Sequence, residues 1–270
     1  MPELPEVETT RRGIEPHILG RRITAVEVRQ PRLRYPVPDD LARQLEGTTV
    51  RSVERRGKYL LIRTGKRQLM IHLGMSGSLR MTDRDRPPRK HDHLDIRFGD
   101  RVLRFHDPRR FGLVLLLDGK PEAHPLLASL GPEPLSASFD PDYLYRVSRN
   151  RKVAIKNLIM NSHLVVGVGN IYASEALFLS GIHPNRAASR ISRGRYEKLV
   201  RAIREVLQNA IEEGGTTLRD FVREKGQPGY FARRLNVYGK AGEACPVCGS
   251  TIVSKVIGQR SSFYCPQCQK

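Results

Sequence analysis

Apolar and polar positions follow two different rhythms along this chain. Up to residue 118 the apolar residues come in short runs or alternate with polar ones, the period-two signature of half-buried strands. Thr24, Val26 and Val28 alternate, Tyr59–Ile62 and Gln68–Leu73 are short apolar runs, and His93–Phe98 alternates again. Gly99-Asp100 reads as a tight hairpin turn into Val102–Phe105, and Phe111–Leu117 closes the set. Seven or eight short strands in this span predict a β-sandwich or barrel. A helix precedes them. Pro5, Glu6 and Glu8 suit a helical first turn and Gly20 its stop, with a break expected at Pro16. Around Gly131-Pro132-Glu133-Pro134 the rhythm changes, and a linker is expected. From Ser192 to Glu213, residues Tyr196, Leu199, Val200, Ile203, Val206, Leu207, Ala210 and Ile211 keep the i, i+3, i+4 spacing of an amphipathic helix, ended by Gly214-Gly215. Gly214–Tyr230, with four glycines and one proline, reads as a flexible loop.

The predicted organisation is therefore residues 1–130 as a strand-rich domain, 131–235 as a helical one, and 236–270 as a small appendage. The longest strictly apolar run, Leu113–Leu117, is far short of the roughly 20 residues of a membrane span, so no membrane association is expected. The acidic start MPELPEVETT lacks the apolar stretch of a signal peptide, which makes the cytoplasm the expected location.

Charge narrows the partner. With 47 Lys plus Arg against 28 Asp plus Glu the net charge is +19, and a polyanion, most commonly nucleic acid, is the expected ligand. A merely basic enzyme is the plainer alternative. The excess is spread as +9, +7 and +3 over the three segments, so it is not a basic tail. Arg55, Arg56 and Lys58 form one cluster. Arg146, Arg149, Arg151, Lys152 and Lys156 form another, within a stretch from Arg146 to Ser174 that has no carboxylate. Two clusters on separate domains predict a phosphate-tracking groove.

All four cysteines fall in the last 26 residues, as Cys245-Pro-Val-Cys248 and Cys265-Pro-Gln-Cys268. Two Cys-x₂-Cys pairs sixteen residues apart have the spacing of a tetrahedral zinc site, and all-protein ligation makes one Zn²⁺ structural. Two disulfides or a redox pair are the alternatives, disfavoured in a reducing compartment. Between the pairs, Ile252–Ile257 and Ser262–Tyr264 predict a hairpin with Arg260 near its tip, a candidate phosphate contact.

Met1-Pro2 invites removal of the initiator methionine, which exposes a secondary amine. An α-amino group with a pKa near 8 is roughly 10% free base at pH 7, against on the order of 0.04% for lysine. Attack of such an amine on a sugar C1′ gives a permanently charged iminium, an electron sink that acidifies C2′ and leads to β-elimination. Glu3 and Glu6 are carboxylates placed for proton transfer. The plain reading of the same residues is a good helix start.

Pro2–Glu8, His72–Gly77, Asp107–Gly112, Gly167–Ala173 and the four-cysteine segment ending Gln269-Lys270 together resemble the bacterial formamidopyrimidine-DNA glycosylases, from the first residue to the last. The resemblance implies an α+β multidomain fold: an N-terminal β-sandwich with flanking helices, a C-terminal helical domain with a helix–two-turn–helix motif, and a β-hairpin zinc finger with four cysteine ligands. It implies a monomer acting on double-stranded damaged DNA in the bacterial cytosol. The implied activity is excision of 8-oxoguanine and formamidopyrimidines, followed by abasic-strand cleavage through β,δ-elimination. Pro2 resembles the Schiff-base nucleophile, Glu3 the general acid/base, Lys58 a backbone contact and proton donor, and Arg260 the zinc-finger phosphate grip. Asn170, His91, Arg109 and either Arg151 or Lys152 resemble DNA contacts. Met75, Arg109 and Phe111 resemble the set that fills the gap left by an extruded nucleotide. Leu4 and this set speak against the sibling endonuclease VIII type. A non-catalytic zinc-ribbon binding protein would explain the charge and the cysteines, but not the Pro2-Glu3 start.

Overall fold

The computed structural model describes residues 2–65, 67–214 and 235–270. They form two compact units, residues 2–128 with 213–214, and residues 129–212 with 235–270. The expected loop falls, beyond Gly214, outside the described residues.

The first unit opens with helix α1 (Leu4–Ile18). A reciprocal capping box between Glu3 and Glu6 starts it, with Glu6 Oε2 accepting from the Glu3 backbone N–H at 2.8 Å. The break expected at Pro16 does not occur. Pro16 lies on the exposed side of the last turn, where one missing hydrogen bond costs little, and the Leu19 N–H still reaches the Glu15 carbonyl.

Eight strands follow: β1 (Ala25–Val28), β2 (Val50–Arg56), β3 (Tyr59–Thr64), β4 (Arg67–His72), β5 (Ser78–Asp83), β6 (Asp92–Phe98), β7 (Arg101–His106) and β8 (Leu113–Asp118), with a short helix α2 (Leu41–Leu45) before β2. They make two antiparallel four-stranded sheets, ordered β1-β6-β7-β5 and β2-β3-β4-β8. One core joins them. Leu60, Ile62, Leu69 and Ile71 from one sheet pack with Leu94, Ile96, Leu103 and Phe105 from the other, together with Val7 and Ile14 of α1. This is the expected sandwich. Phe111, read as the start of the last strand, lies outside it and is 50% exposed.

The β1-β6-β7-β5 sheet also buries charge. Asp95 sits opposite Arg104 in the β6–β7 register and takes two hydrogen bonds from it, both 2.8 Å. Asp92 accepts from Arg80, from the His106 ring and from the Arg89 backbone. Burial pushes the Asp92 carboxyl up, but the hydrogen bonds from His106, Arg89 and Arg80 outweigh it and hold it well below the usual carboxylate range. Each buried charge here is paired, without which burial would be prohibitive.

Helix α3 (Pro125–Ala128) closes the first unit. The second carries α4 (Pro141–Ser148), α5 (Ile155–Ile159), α6 (Asn170–Leu179) and the amphipathic α7 (Arg193–Glu212), then a hairpin of β9 (Val253–Ile257) and β10 (Arg260–Tyr264). The apolar positions read as the buried face of α7 are buried. Its hairpin segment has a small core of Val237, Cys245, Ile252 and Cys265 packed on Phe178 of α6. Glu175 of α6 also holds the chain leading into it, accepting the backbone N–H groups of Asn236, Val237 and Tyr238.

Candidate functional site

Pro2 precedes the N-cap of α1 and is buried, as is Glu3. Lys58 lies in the turn between β2 and β3, after Gly57, whose φ of 58° suits a glycine. Arg55 fixes that turn to α1: its Nε pairs with Glu8 at 3.1 Å and its Nη1 donates to the Gly57 carbonyl at 3.0 Å. Glu8 also pairs with Arg11 and Arg12. Burial raises the Glu8 carboxyl, but these guanidinium partners bring it below its ordinary value. The Pro2-Glu3 start and Lys58 thus share one rigid scaffold. Arg55 read as part of a basic cluster and Glu8 as part of a helical first turn; nothing in the sequence signalled that the two pair.

Met75 and the Arg109–Phe111 segment meet. Arg109 Nη1 lies 3.9 Å from Met75 Sδ, Arg109 and Phe111 are exposed, and Met75 is half-buried. Glycines allow the approach: a Cβ on Gly74 would stand 2.4 Å from the Gly112 nitrogen and 2.5 Å from the Phe111 carbonyl carbon. His72, at the start of this motif, accepts from the Gly74 N–H through Nδ1 and packs against Tyr59, with ring centroids 4.8 Å apart. Burial, with Lys58 and Arg34 nearby, pushes the His72 ring down to about 4, so it is neutral at pH 7. His91 adopts a left-handed backbone (φ 71°), with its ring centroid 6.1 Å from those of His93 and His106.

In the second unit the hairpin turn Gly258-Gln259 has positive φ at both residues, the signature of a type I′ turn, and delivers an exposed Arg260. Two side chains grip the next residues. Lys156 Nζ donates to the Ser261 carbonyl (3.1 Å) and Ser262 Oγ (2.7 Å), and Asn170 Nδ2 donates to the same carbonyl (3.0 Å). Asn157 packs so closely on Gly258 that a Cβ there would lie 2.3 Å from its side chain.

Asn170 therefore sits against the residue that follows Arg260. The basic run is less uniform than its charges suggest. Lys156 is 0% exposed, and Arg149 stacks on Tyr145 (4.0 Å) while donating to the carbonyls of Ser189 and Ile191. Arg151 and Lys152 are exposed, and Arg151 Nε donates to the Val147 carbonyl.

Cys245, Cys248, Cys265 and Cys268 bring their sulfurs within 4.8 Å of one another, as one tetrahedral ion requires. The donor set fits zinc. Ser250 favours the Cys248 thiolate, while burial pushes the Cys265 and Cys268 thiols up. A divalent cation at the centre allows all four to ionise together.

Three family profiles cover the chain: the formamidopyrimidine-DNA glycosylase N-terminal domain over residues 1–114, the formamidopyrimidine-DNA glycosylase H2TH domain over 130–222, and the zinc finger found in FPG and IleRS over 242–270. The chain belongs to the formamidopyrimidine-DNA glycosylase family. Its similarity to the formamidopyrimidine-DNA glycosylase of Thioalkalivibrio sulfidiphilus is 62% identity over 271 residues, the full length of both chains. Among solved structures it resembles the Lactococcus lactis Fpg in complex with abasic-site DNA (36% identity, 99% of each chain, TM-score 0.92). It also resembles that protein with Fapy-dG-containing DNA (36% identity, 99% of this chain and 100% of that one, TM-score 0.91). As in the family, a β-sandwich, an H2TH helical region and a four-cysteine hairpin succeed one another. Among the described residues of this family member, no helix is long and apolar enough to cross a membrane.

Proposed function

We propose that this glycosylase excises oxidised purines, 8-oxoguanine and formamidopyrimidines, from duplex DNA and then cleaves the abasic strand as a lyase. The observation that carries this reading is the placement of Pro2 directly before the Glu3 N-cap of α1, on a helix tied through Glu8 and Arg55 to the turn bearing Lys58. Once Met1 is removed, the free Pro2 nitrogen attacks C1′ of the extruded nucleotide. The glycosidic bond breaks and the base leaves with a proton. Opening of the sugar ring, with Glu3 moving the proton at its oxygen, converts the adduct to an iminium. Loss of the C2′ proton then expels the 3′ phosphate, and a second elimination expels the 5′ phosphate. Lys58 serves as a backbone contact and proton donor in these eliminations.

The second unit and the rest of the first hold the DNA. Arg260, Asn170, His91 and Arg151 or Lys152 bind phosphates. Met75, Arg109 and Phe111 occupy the gap left by extrusion, with the Arg109 guanidinium hydrogen-bonding the orphaned base. One structural Zn²⁺ held by the four cysteines fixes the hairpin that presents Arg260. The functional segments are 1–130, 131–235 and 236–270, the protein works as a monomer in the cytoplasm, and damaged duplex DNA is its partner.

The test is borohydride trapping and excision on paired substrates. An 8-oxoguanine:C duplex is expected to give a covalent adduct and released base, well ahead of a thymine glycol:A duplex. A reversed preference points to the endonuclease VIII type, and absence of any adduct from Met-processed, zinc-loaded protein ends the enzyme reading. Arg260→Ala tests the phosphate grip separately. Binding is expected to weaken, and the slope of log K against log salt to fall by about one phosphate's worth. An unchanged slope removes Arg260 from the phosphate contacts.

A further inference from the structure

Asp107 is fully buried (0% exposed) between two segments that the reading above assigns to gap filling. Its carboxylate faces both of them. Oδ1 accepts from Ser76 Oγ at 3.1 Å, in the turn carrying Met75, and Oδ2 accepts from the Gly112 N–H at 2.8 Å, beyond Arg109 and Phe111. Its backbone reaches further. The Asp107 N–H donates to the His91 carbonyl at 3.0 Å, and the Asp107 carbonyl lies 2.7 Å from His93 Nε2, which must carry the ring proton because a carbonyl can only accept. The same carbonyl accepts from the Arg110 N–H at 3.3 Å.

The surroundings are strained in a way that needs such a hub. His91 and Arg110, both non-glycine, hold left-handed backbones with φ of 71° and 56°. Such conformations are strained for residues other than glycine and persist where neighbours over-determine them. Two glycines remove the side chains that would separate the segments: besides Gly74, a Cβ on Gly112 would stand 2.8 Å from the His72 carbonyl oxygen and 3.0 Å from Asp107 Oδ2. A Cβ on Gly77 would stand 2.2 Å from the Leu73 carbonyl oxygen, inside the Met75 turn itself. Glycine at these places brings the two backbones into contact, and the Asp107 carboxylate hydrogen-bonds to both segments.

We infer that Asp107 is a positioning residue for nucleotide extrusion: its buried carboxylate sets the turn bearing Met75 against the loop bearing Arg109 and Phe111, so that the three enter the duplex as one wedge. The inference rests on the Schiff-base and gap-filling reading above and adds the residue that assembles the wedge. Asp107 touches no reacting atom in this account, so its loss should spare chemistry on a sugar that is already accessible.

The experiment compares two substrates in the full zinc-loaded protein. One is an 8-oxoguanine:C duplex, which needs a gap filled. The other is a single-stranded abasic oligonucleotide, which has neither an orphaned base nor a stack to restore. Asp107→Ala is expected to slow duplex excision by about tenfold or more, the scale of stranding buried hydrogen-bonding groups. Trapping on the single strand should stay within about twofold. Asp107→Asn, whose amide can accept from Gly112 N–H and donate to Ser76 Oγ, should recover most of the duplex rate. Ser76→Ala, which leaves the Gly112 bond in place and keeps the decision open if Asp107→Ala does not fold, should show a smaller loss confined to the duplex. Parallel losses on both substrates, or unchanged duplex excision in Asp107→Ala or Ser76→Ala, overturn the proposal alone. A wild-type protein that traps on neither substrate overturns the Schiff-base reading, and this proposal with it.

Discussion

Protein that retains Met1, or whose N-terminus is chemically blocked, gives no borohydride adduct with an abasic duplex, and strand cleavage falls by about a thousandfold or more. That scale follows from removing a covalent nucleophile while leaving binding intact. The blocked nitrogen is an amide, with no lone pair free to attack C1′. Pro2→Gly, processed to a free N-terminal glycine, is expected to trap more slowly than wild type but still to trap. Its primary amine forms an imine that can lose its proton, whereas the proline nitrogen gives an iminium that stays charged and keeps its pull on the C2′ proton. Duplex affinity should change little in either case, because the residues proposed to bind phosphates are elsewhere. Equal cleavage by Met1-retaining protein, confirmed by mass spectrometry of the intact chain, would contradict the mechanism outright.

Removal of zinc has the second large effect, and it is structural. The hairpin's own core is small: Val237, Cys245, Ile252 and Cys265, packed with Phe178 of α6. A segment of that size does not fold on apolar burial alone, and structural zinc sites supply about 10–16 kcal/mol in isolated fingers. Chelation, or Cys248→Ser, is therefore expected to release the metal, expose the backbone amides of β9 and β10 to hydrogen exchange, and weaken duplex binding by at least as much as Arg260→Ala. The sandwich has a separate core and should keep its protection. One zinc per chain by metal analysis, lost together with hairpin protection, supports this. Full protection of β9 and β10 in metal-free protein contradicts it.

Local pattern carried much of the fold. Alternation marks β1 and β6, short apolar runs mark β3 and β4, the Gly99-Asp100 turn places β7, and the 3.6-residue spacing marks α7, because each depends only on local residue order. Strand β5 escaped this reading. Only Leu79 and Met81 are apolar in it, too few to stand out, and Arg80 between them faces the other side, where Asp92 of another strand pairs with it. Pro16 looked like a helix breaker and is not, since its exposed place in the last turn spares it.

The candidate site divides along the same line. The sequence alone determined the chemistry on offer: a Met1-Pro2 start beside two carboxylates, four thiols at metal spacing, and a net charge of +19 that calls for a polyanion. Residue type and short spacing settle such matters. Only the tertiary structure decided which charges are available. Lys156 and Arg149 belong to the run that read as a phosphate track, but Lys156 is buried against Ser261 and Ser262, more than a hundred residues away, and Arg149 is half-buried, bonded to carbonyls some forty residues on. It alone also showed Asp107 joining Ser76 to Gly112 and Arg55 joining Glu8 to the Lys58 turn. A hydrogen bond stabilises by the desolvated fit of donor to acceptor in space, and neither burial nor fit across such separations leaves a periodicity in the chain to be read.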